Sequence, residues 1–195
     1  MIFLDTCVWM ELMGVRTPTQ PHERRQAIEA TRLFQKILKS DEIIVTCNEQ
    51  LLELITAIQK VTMKTVNRER KEKNDPGVGN LKEFRTLSEF QKTKILCETV
   101  INDVKHFAEV ENIGDYDLHD LIRRLDLADI NDCLYYDYCV KKDIDFYTFD
   151  KDIKELGNSE KIHLINSIRS IEKTGGHNRC PSVFSEICFI CQIPD

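Results

Sequence analysis

No run of apolar residues in this 195-residue chain approaches the roughly 18 that a membrane-spanning helix needs, so the sequence does not read as membrane-embedded. Also missing is a basic stretch ahead of an apolar one at the amino terminus. The chain opens directly on Met1-Ile2-Phe3-Leu4, which does not read as a secretory signal, and a cytoplasmic location is the default expectation. Positive charge is in short supply: 27 Lys and Arg stand against 33 Asp and Glu, for a net charge of −6. A generally basic surface is thereby excluded, and contact with nucleic acid would have to come from a local patch. There is no internal repeat and no low-complexity segment. An apolar content of 42% with 31% charged residues fits one soluble globular domain with a substantial core.

Cysteine, by contrast, is plentiful, with eight in the chain. Cys7, Cys47, Cys97, Cys133 and Cys139 lie inside apolar patterns, where a reduced cysteine serves as a small hydrophobe, and we read them as buried thiols rather than disulfide partners.

The apolar pattern alternates between two kinds of segment. Ile2 to Leu4 is a short continuous run of the sort found in central parallel strands. After the breakers Thr17, Pro18 and Pro21, the residues Ala27, Ala30, Phe34, Ile37 and Leu38 recur at helical spacing. Ile43 to Val45 predicts a second strand, and Leu51, Leu52, Leu54, Ile55, Ile58 and Val61 a second helix. Ile95 to Ala108 continues helically, a turn falls near Gly114, and a short helix runs through Leu118, Leu121, Ile122 and Leu125. A helix beginning near Asp132, with Leu134, Tyr135, Tyr138 and Cys139 toward the sheet, leads to a strand over Ile144 to Thr148, and Lys161 to Ile165 predicts the last strand. Strand and helix in alternation imply parallel pairing through right-handed crossovers.

Four acids stand at informative places in this pattern. Asp5 closes the first strand, Asp150 follows the run Ile144 to Phe149, Asp132 opens an amphipathic helix, and Glu53 lies one to two helical turns after the second strand. Parallel strands deliver the residues after their carboxyl ends to one edge, where ligands bind in open sheets. Carboxylates gathered there repel one another unless a cation sits among them, which suggests a divalent-metal site. A hard cation such as Mg²⁺ needs only one or two direct carboxylates, and such ions suit phosphodiester hydrolysis. The bland alternative is that acids cap helices, and Asp132 taken alone reads more readily as a cap than as a ligand.

At this point the residues resemble a known family. Met1-Ile-Phe-Leu-Asp5-Thr-Cys-Val-Trp9 looks like the opening strand of PIN-domain ribonucleases, VapC-like toxins among them. Asn131-Asp132-Cys-Leu-Tyr-Tyr-Asp-Tyr-Cys139 and Ile144-Asp-Phe-Tyr-Thr148-Phe-Asp150-Lys-Asp152 are similar to that family's third-acid helix, its following strand, a threonine and another acid. The resemblance implies a PIN-like α/β three-layer sandwich with a central parallel sheet of four to five strands. It spans about 1–168, with a locally basic helical insertion around 60–94 and a tail over 169–195. It further implies a metal-dependent endoribonuclease using Mg²⁺ or Mn²⁺. Asp5, Glu53, Asp132 and Asp150 are then the catalytic and metal-binding acids, with Thr6, Thr148 and Asn131 in support. Glu49, one helical turn before Glu53, is the alternative for the helix acid. Asp129 and Asp152 are expected farther out.

Many members of this family are the toxin halves of toxin-antitoxin pairs, so RNA is the implied substrate, and an antitoxin protein and a homodimer are the partners the resemblance leaves open. The stretch between Glu53 and Asp132 is longer here than in the compact toxins. Two other readings compete. A catalytically inactive PIN-like module would bind RNA or a partner through a vestigial site. Aspartyl phosphatases also place an aspartate after their first strand, but use a second one two residues on, where this chain has Cys7.

Residues 60–94 carry ten Lys or Arg against five Asp or Glu, and Asn74-Asp75-Pro76-Gly77 with Gly79 signals an exposed loop between two helices. Lys64, Arg68, Arg70 and Lys71, with Lys60 and Lys73, are candidates for RNA binding. A solvated helix face with Arg–Glu pairing is the plain alternative. In the tail, His177, Cys180, Cys188 and Cys191 offer four potential zinc ligands, although Cys188 and Cys191 sit among apolar residues that a simple buried segment would also show.

Overall fold

The computed structural model describes residues 1–165, and the candidate zinc ligands of the tail lie outside the described residues. Five strands form one parallel sheet: β1 (Ile2–Leu4), β2 (Ile44–Cys47), β3 (Glu109–Glu111), β4 (Asp145–Thr148) and β5 (Ile162–Leu164), in the order β3-β2-β1-β4-β5. β1 lies at the centre and is buried on both faces, with Ile2, Phe3 and Leu4 each at most 5% exposed. It pairs with β2 through Ile2–Ile44 and Phe3–Val45, and with β4 through Ile2–Asp145, Phe3–Phe146 and Leu4–Tyr147.

Side chains alternate across β1 and so define two cores. Ile2 and Leu4 join Val8, Trp9, Phe34, Leu54, Ile58 and Val104 on one face. These come from α1 (Thr6–Leu12), α2 (Pro21–Ile37), α3 (Asn48–Glu72) and α5 (Phe90–Phe107). Phe3 turns the other way, into a core with Val45, Phe146, Leu121, Leu134, Tyr135 and Tyr138. That face is covered by α6 (Leu118–Arg123) and α7 (Ile130–Lys142). The result is the expected three-layer α/β sandwich around a parallel sheet.

Several local expectations change. Pro21, a breaker by its sequence context, is the first residue of α2, where its missing N–H costs nothing; Gln20 and Glu23 form a reciprocal capping box around it. Helix α1 has no signal in the sequence, since it follows β1 after the single residue Asp5 without a turn. Strand β3 is likewise silent: Glu-Val-Glu is a three-residue edge strand with Val110 43% exposed and Glu111 turned to the Tyr138 hydroxyl, so no apolar run marks it. β2 runs on through Thr46 and Cys47, and Ile43 remains exposed. Of the five cysteines among the described residues, Cys47, Cys133 and Cys139 are buried, while Cys7 and Cys97 are half-buried; all five are free thiols.

The basic segment is a helical arm. Helix α3 runs 25 residues, about 37 Å at 1.5 Å per residue, and the chain returns through α4 (Leu81–Phe84) and α5. Asn67 closes the arm's loop by accepting from the Val78 N–H at 2.7 Å and donating to the Val78 carbonyl at 2.9 Å.

Candidate functional site

In the strand order β3-β2-β1-β4-β5, successive connections run outward in one direction from β1 to β3 and in the other from β4 to β5. The reversal falls between β1 and β4, and the crevice beyond their carboxyl ends is the usual ligand position in such sheets. Asp5 follows β1 and Thr148 ends β4, so both arrive at that crevice. The pairing continues one step past the strand, where the Asp5 N–H donates to the Tyr147 carbonyl at 3.0 Å.

Asp5 is 5% exposed and stands at the N-cap position of α1, its carbonyl accepting from the Val8 and Trp9 amides. Its carboxylate makes no capping bond to the helix. Oδ2 instead accepts from the Thr148 hydroxyl and, at 3.0 Å, from the Cys7 thiol. The Thr148 hydroxyl in turn accepts from the Asp150 N–H at 2.9 Å, so one threonine links two of the acids. The Phe149 N–H points at the Cys7 sulfur, at 3.5 Å. Burial pushes the Asp5 carboxyl up, and the bonds from Thr148 and Cys7 oppose that rise only in part.

Glu53 reaches the same region from the first turns of α3. Its Oε2 accepts from the Tyr135 hydroxyl at 2.8 Å and from the Thr6 hydroxyl at 3.1 Å, so α7 and α1 grip it from two sides. Its proton affinity is raised by burial, and the Asp5 and Asp129 charges add to this. Glu49, one turn earlier on α3, lies near Cys47 at the end of β2, whose thiol burial chiefly pushes up, with the Glu49 charge adding to it. Beneath them Gln50, fully buried, donates to the Leu4 carbonyl at 2.8 Å and accepts from the Thr46 hydroxyl at 2.8 Å. It fastens the ends of β1 and β2 to α3, which fixes where Glu53 stands.

Asp132 lies in the first turn of α7, whose N-cap is Asp129; the capping role considered for Asp132 is therefore not its role here. Its pKa is pushed up to about 8, first by burial and then by the charges of Asp5, Asp150, Glu53 and Asp129. No basic group is among these influences. Asp150 and Asp152 are exposed; the Asp152 N–H donates to Asp150 Oδ1 at 2.9 Å, which anchors the Asp150 carboxylate over the turn after β4. Asn131 is half-buried beside Asp132 in the same helical turn. The four acids named from the sequence thus share one neighbourhood with Thr6 and Thr148, and Cys7 and Tyr135 join them. Tyr135 reads from the sequence only as a sheet-facing residue; its hydroxyl serves an acid 82 positions away, which no local pattern signals.

The chemistry of this neighbourhood suits a hard cation. Its donors are carboxylate and hydroxyl oxygens, and the field that raises the proton affinity of Asp132 equally favours a divalent ion. Among the described residues no three His, Cys, Asp or Glu side chains form a ready set of ligands by themselves. Mg²⁺ does not require one, because it retains several waters and takes one or two carboxylates directly.

The basic candidates divide. Lys64, Arg68 and Lys60 are exposed on α3, as is Lys71 near its end. Arg70 departs from the expectation of a free cation: it donates to Glu89 at 2.9 Å and to the Pro76 carbonyl at 3.3 Å, and so holds the arm together.

A family model described as PIN domain matches residues 2–158 of the chain. No curated protein and no solved structure gives a significant match.

Proposed function

The chain belongs to the PIN-domain family, a family of nucleases, and on that premise we propose that it is a metal-dependent endoribonuclease. The observation that carries this reading is the convergence of Asp5, Glu53, Asp132 and Asp150 from β1, α3, α7 and the end of β4, with Thr148 linking Asp5 to Asp150 and Thr6 and Tyr135 holding Glu53; burial and the neighbouring acids push the Asp132 pKa up to about 8. A bound Mg²⁺ or Mn²⁺ would supply Lewis-acid polarisation of the phosphoryl group and activation of water. Asp5, Asp132 and Asp150 would hold it, with Glu53 completing the acidic rim. Thr148 positions Asp5 and the turn carrying Asp150, while Thr6 and Tyr135 orient Glu53. No side chain here is placed as a protein nucleophile. Cys7 is the nearest thiol, but burial and the Asp5 charge keep it protonated.

RNA must approach these carboxylates against their charge. Lys60, Lys64 and Lys71 follow Glu53 along one face of α3, since 18 residues make five full turns, and Arg68 lies at the edge of the same stripe. This places cations in line with the site for about 27 Å of helix. We assign them to backbone phosphates and leave Arg70 out. The length of the arm between Glu53 and Asp132 favours an RNA-processing role over that of a compact toxin, whose partner would be an antitoxin.

The test is cleavage of single-stranded RNA by the full chain with Mn²⁺, with EDTA, and in an Asp132→Asn variant. Cleavage that needs Mn²⁺ and is lost in the folded variant is the expected result. The competing vestigial site is motivated by the absence of a ready ligand set among the described residues. It predicts instead that calorimetric titration finds no Mn²⁺ binding and that the wild type leaves RNA intact.

A further inference from the structure

Asp150 has a second neighbourhood that the proposed chemistry does not use. Phe149 and Lys151, the residues on either side of it, line an open cleft of about 250 Å³ with His22, Arg25, Gln26 and Glu29 of α2 and with Ile165 beyond β5. The four α2 residues fall at i, i+3, i+4 and i+7, so they present one face of the helix to the cleft. The volume is below the roughly 300–1,000 Å³ of sites that enclose a drug-sized molecule, and it suits one unit of a chain laid across it.

The charges in this cleft are uneven. Glu29 is engaged by Arg32 at 2.8 Å. Arg25 and Lys151 are exposed, and neither has an ion-pair partner among the described residues. In a protein of net charge −6, two cations without an ion-pair partner among the described residues thus flank Asp150 of the acidic cluster. Between them Phe149, which packs partly against the first core, remains half-exposed at the cleft. Cations for a phosphate and an aromatic face for a base are the two elements of single-strand recognition.

We propose that this cleft is the subsite for the nucleotide next to the scissile phosphate of single-stranded RNA. Arg25 and Lys151 contact its phosphate oxygens, and Phe149 stacks on its base. The inference rests on the nuclease reading, because a polynucleotide carries a further phosphate and base beside the bond it offers to the acids. A duplex keeps its bases stacked on one another and has none to offer Phe149.

The experiment measures binding of a fluorescent single-stranded oligoribonucleotide to the full chain in Ca²⁺, and Mn²⁺-supported cleavage of the same oligonucleotide. In an R25E/K151E variant the expected result is RNA affinity weakened 10-fold or more and a log–log salt slope shallower by about 0.7–1.4, as follows when one or two phosphates are no longer neutralised by the protein. The thermal midpoint stays unchanged. R25Q and K151Q, milder changes at exposed positions, each weaken RNA binding about threefold. F149L, which keeps the packing, loses affinity for the single strand and not for a duplex.

Unchanged affinity and salt slope in both the double variant and the glutamine variants would overturn the subsite, even if the wild type cleaves RNA. A wild type that binds through Arg25 and Lys151 but does not cleave would overturn the nuclease reading and keep the cleft as an RNA site. A wild type that binds no RNA would overturn both.

Discussion

Helices α6 and α1 both begin at an aspartate, and the two aspartates do different things. At α6 the Asp117 carboxylate accepts from the His119 N–H at 2.8 Å and the Asp120 N–H at 3.4 Å, the ordinary service of an N-cap. At α1 the backbone of Asp5 plays the same part, but its carboxylate gives the helix nothing and is held by Thr148 and Cys7. Asp129 at the start of α7 likewise makes no capping bond with its side chain. A carboxylate spent on amides two residues away is neutralised locally. One held by side chains from another strand keeps its charge directed at the crevice, and the fold bears the cost in burial. The difference separates acids that stabilise a helix from acids available to a cation.

Changes at these positions should break that symmetry in order of size. The largest effect is expected for Asp5→Asn, which lowers metal-dependent cleavage by about 10²–10³, the size of loss when one transition-state-stabilising group is removed. Circular dichroism should show the fold intact, and an inactive but unfolded variant would argue that Asp5 is structural after all. Next comes Tyr135→Phe, which removes one of the two hydroxyls on Glu53; by analogy with outer partners of metal ligands, it should weaken Mn²⁺ affinity or activity about 10-fold. Mn²⁺ affinity and activity both equal to wild type would show that Thr6 alone suffices.

A third measurement concerns pH. Unfolded, Asp132 ionises near pH 3.9, whereas folded and metal-free it keeps its proton up to about 8. Between those values the native state carries the extra proton, so stability should fall as pH rises through that window. Mn²⁺ should restore it at pH 8, and Asp132→Asn should flatten the slope; a melting temperature that climbs over the same range without metal would contradict the assignment. The smallest effect belongs to the ordinary cap. Asp117→Ala should cost about 1 kcal/mol, some 2–4 °C of melting temperature, and leave cleavage untouched.

How much of this is legible in the sequence depends on the range of the signal. β1 announces itself because burial on both faces requires unbroken apolar residues, and β4 because Phe146 and Tyr147 stand out between Ile144 and Phe149, although its burial alternates; Asp5, Asp132 and Asp150 are legible because the alternation of strands and helices brings them to one edge. Glu53 is one of two candidates, since Glu49 and Glu53 share a helix face; only the Tyr135 and Thr6 hydroxyls separate them. β3 has no signal, because an edge strand of Glu-Val-Glu owes its place to pairing with β2 rather than to burial. Arg70 reads like its neighbours in a basic run, and its capture by Glu89 depends on the register in which the returning segment meets α3, which the turn signal does not specify.

The position of β1 also sets when the site can come into being. Of the five strands, the one synthesised first is the centre of the sheet, and one of its two partners, β4, is not made until residues 145–148. Thr148 and Asp150 arrive with it. A nascent chain, or one truncated anywhere before that strand, therefore lacks two of the groups that would assemble the acids, and any hydrolytic capacity arises only after most of the domain has been synthesised.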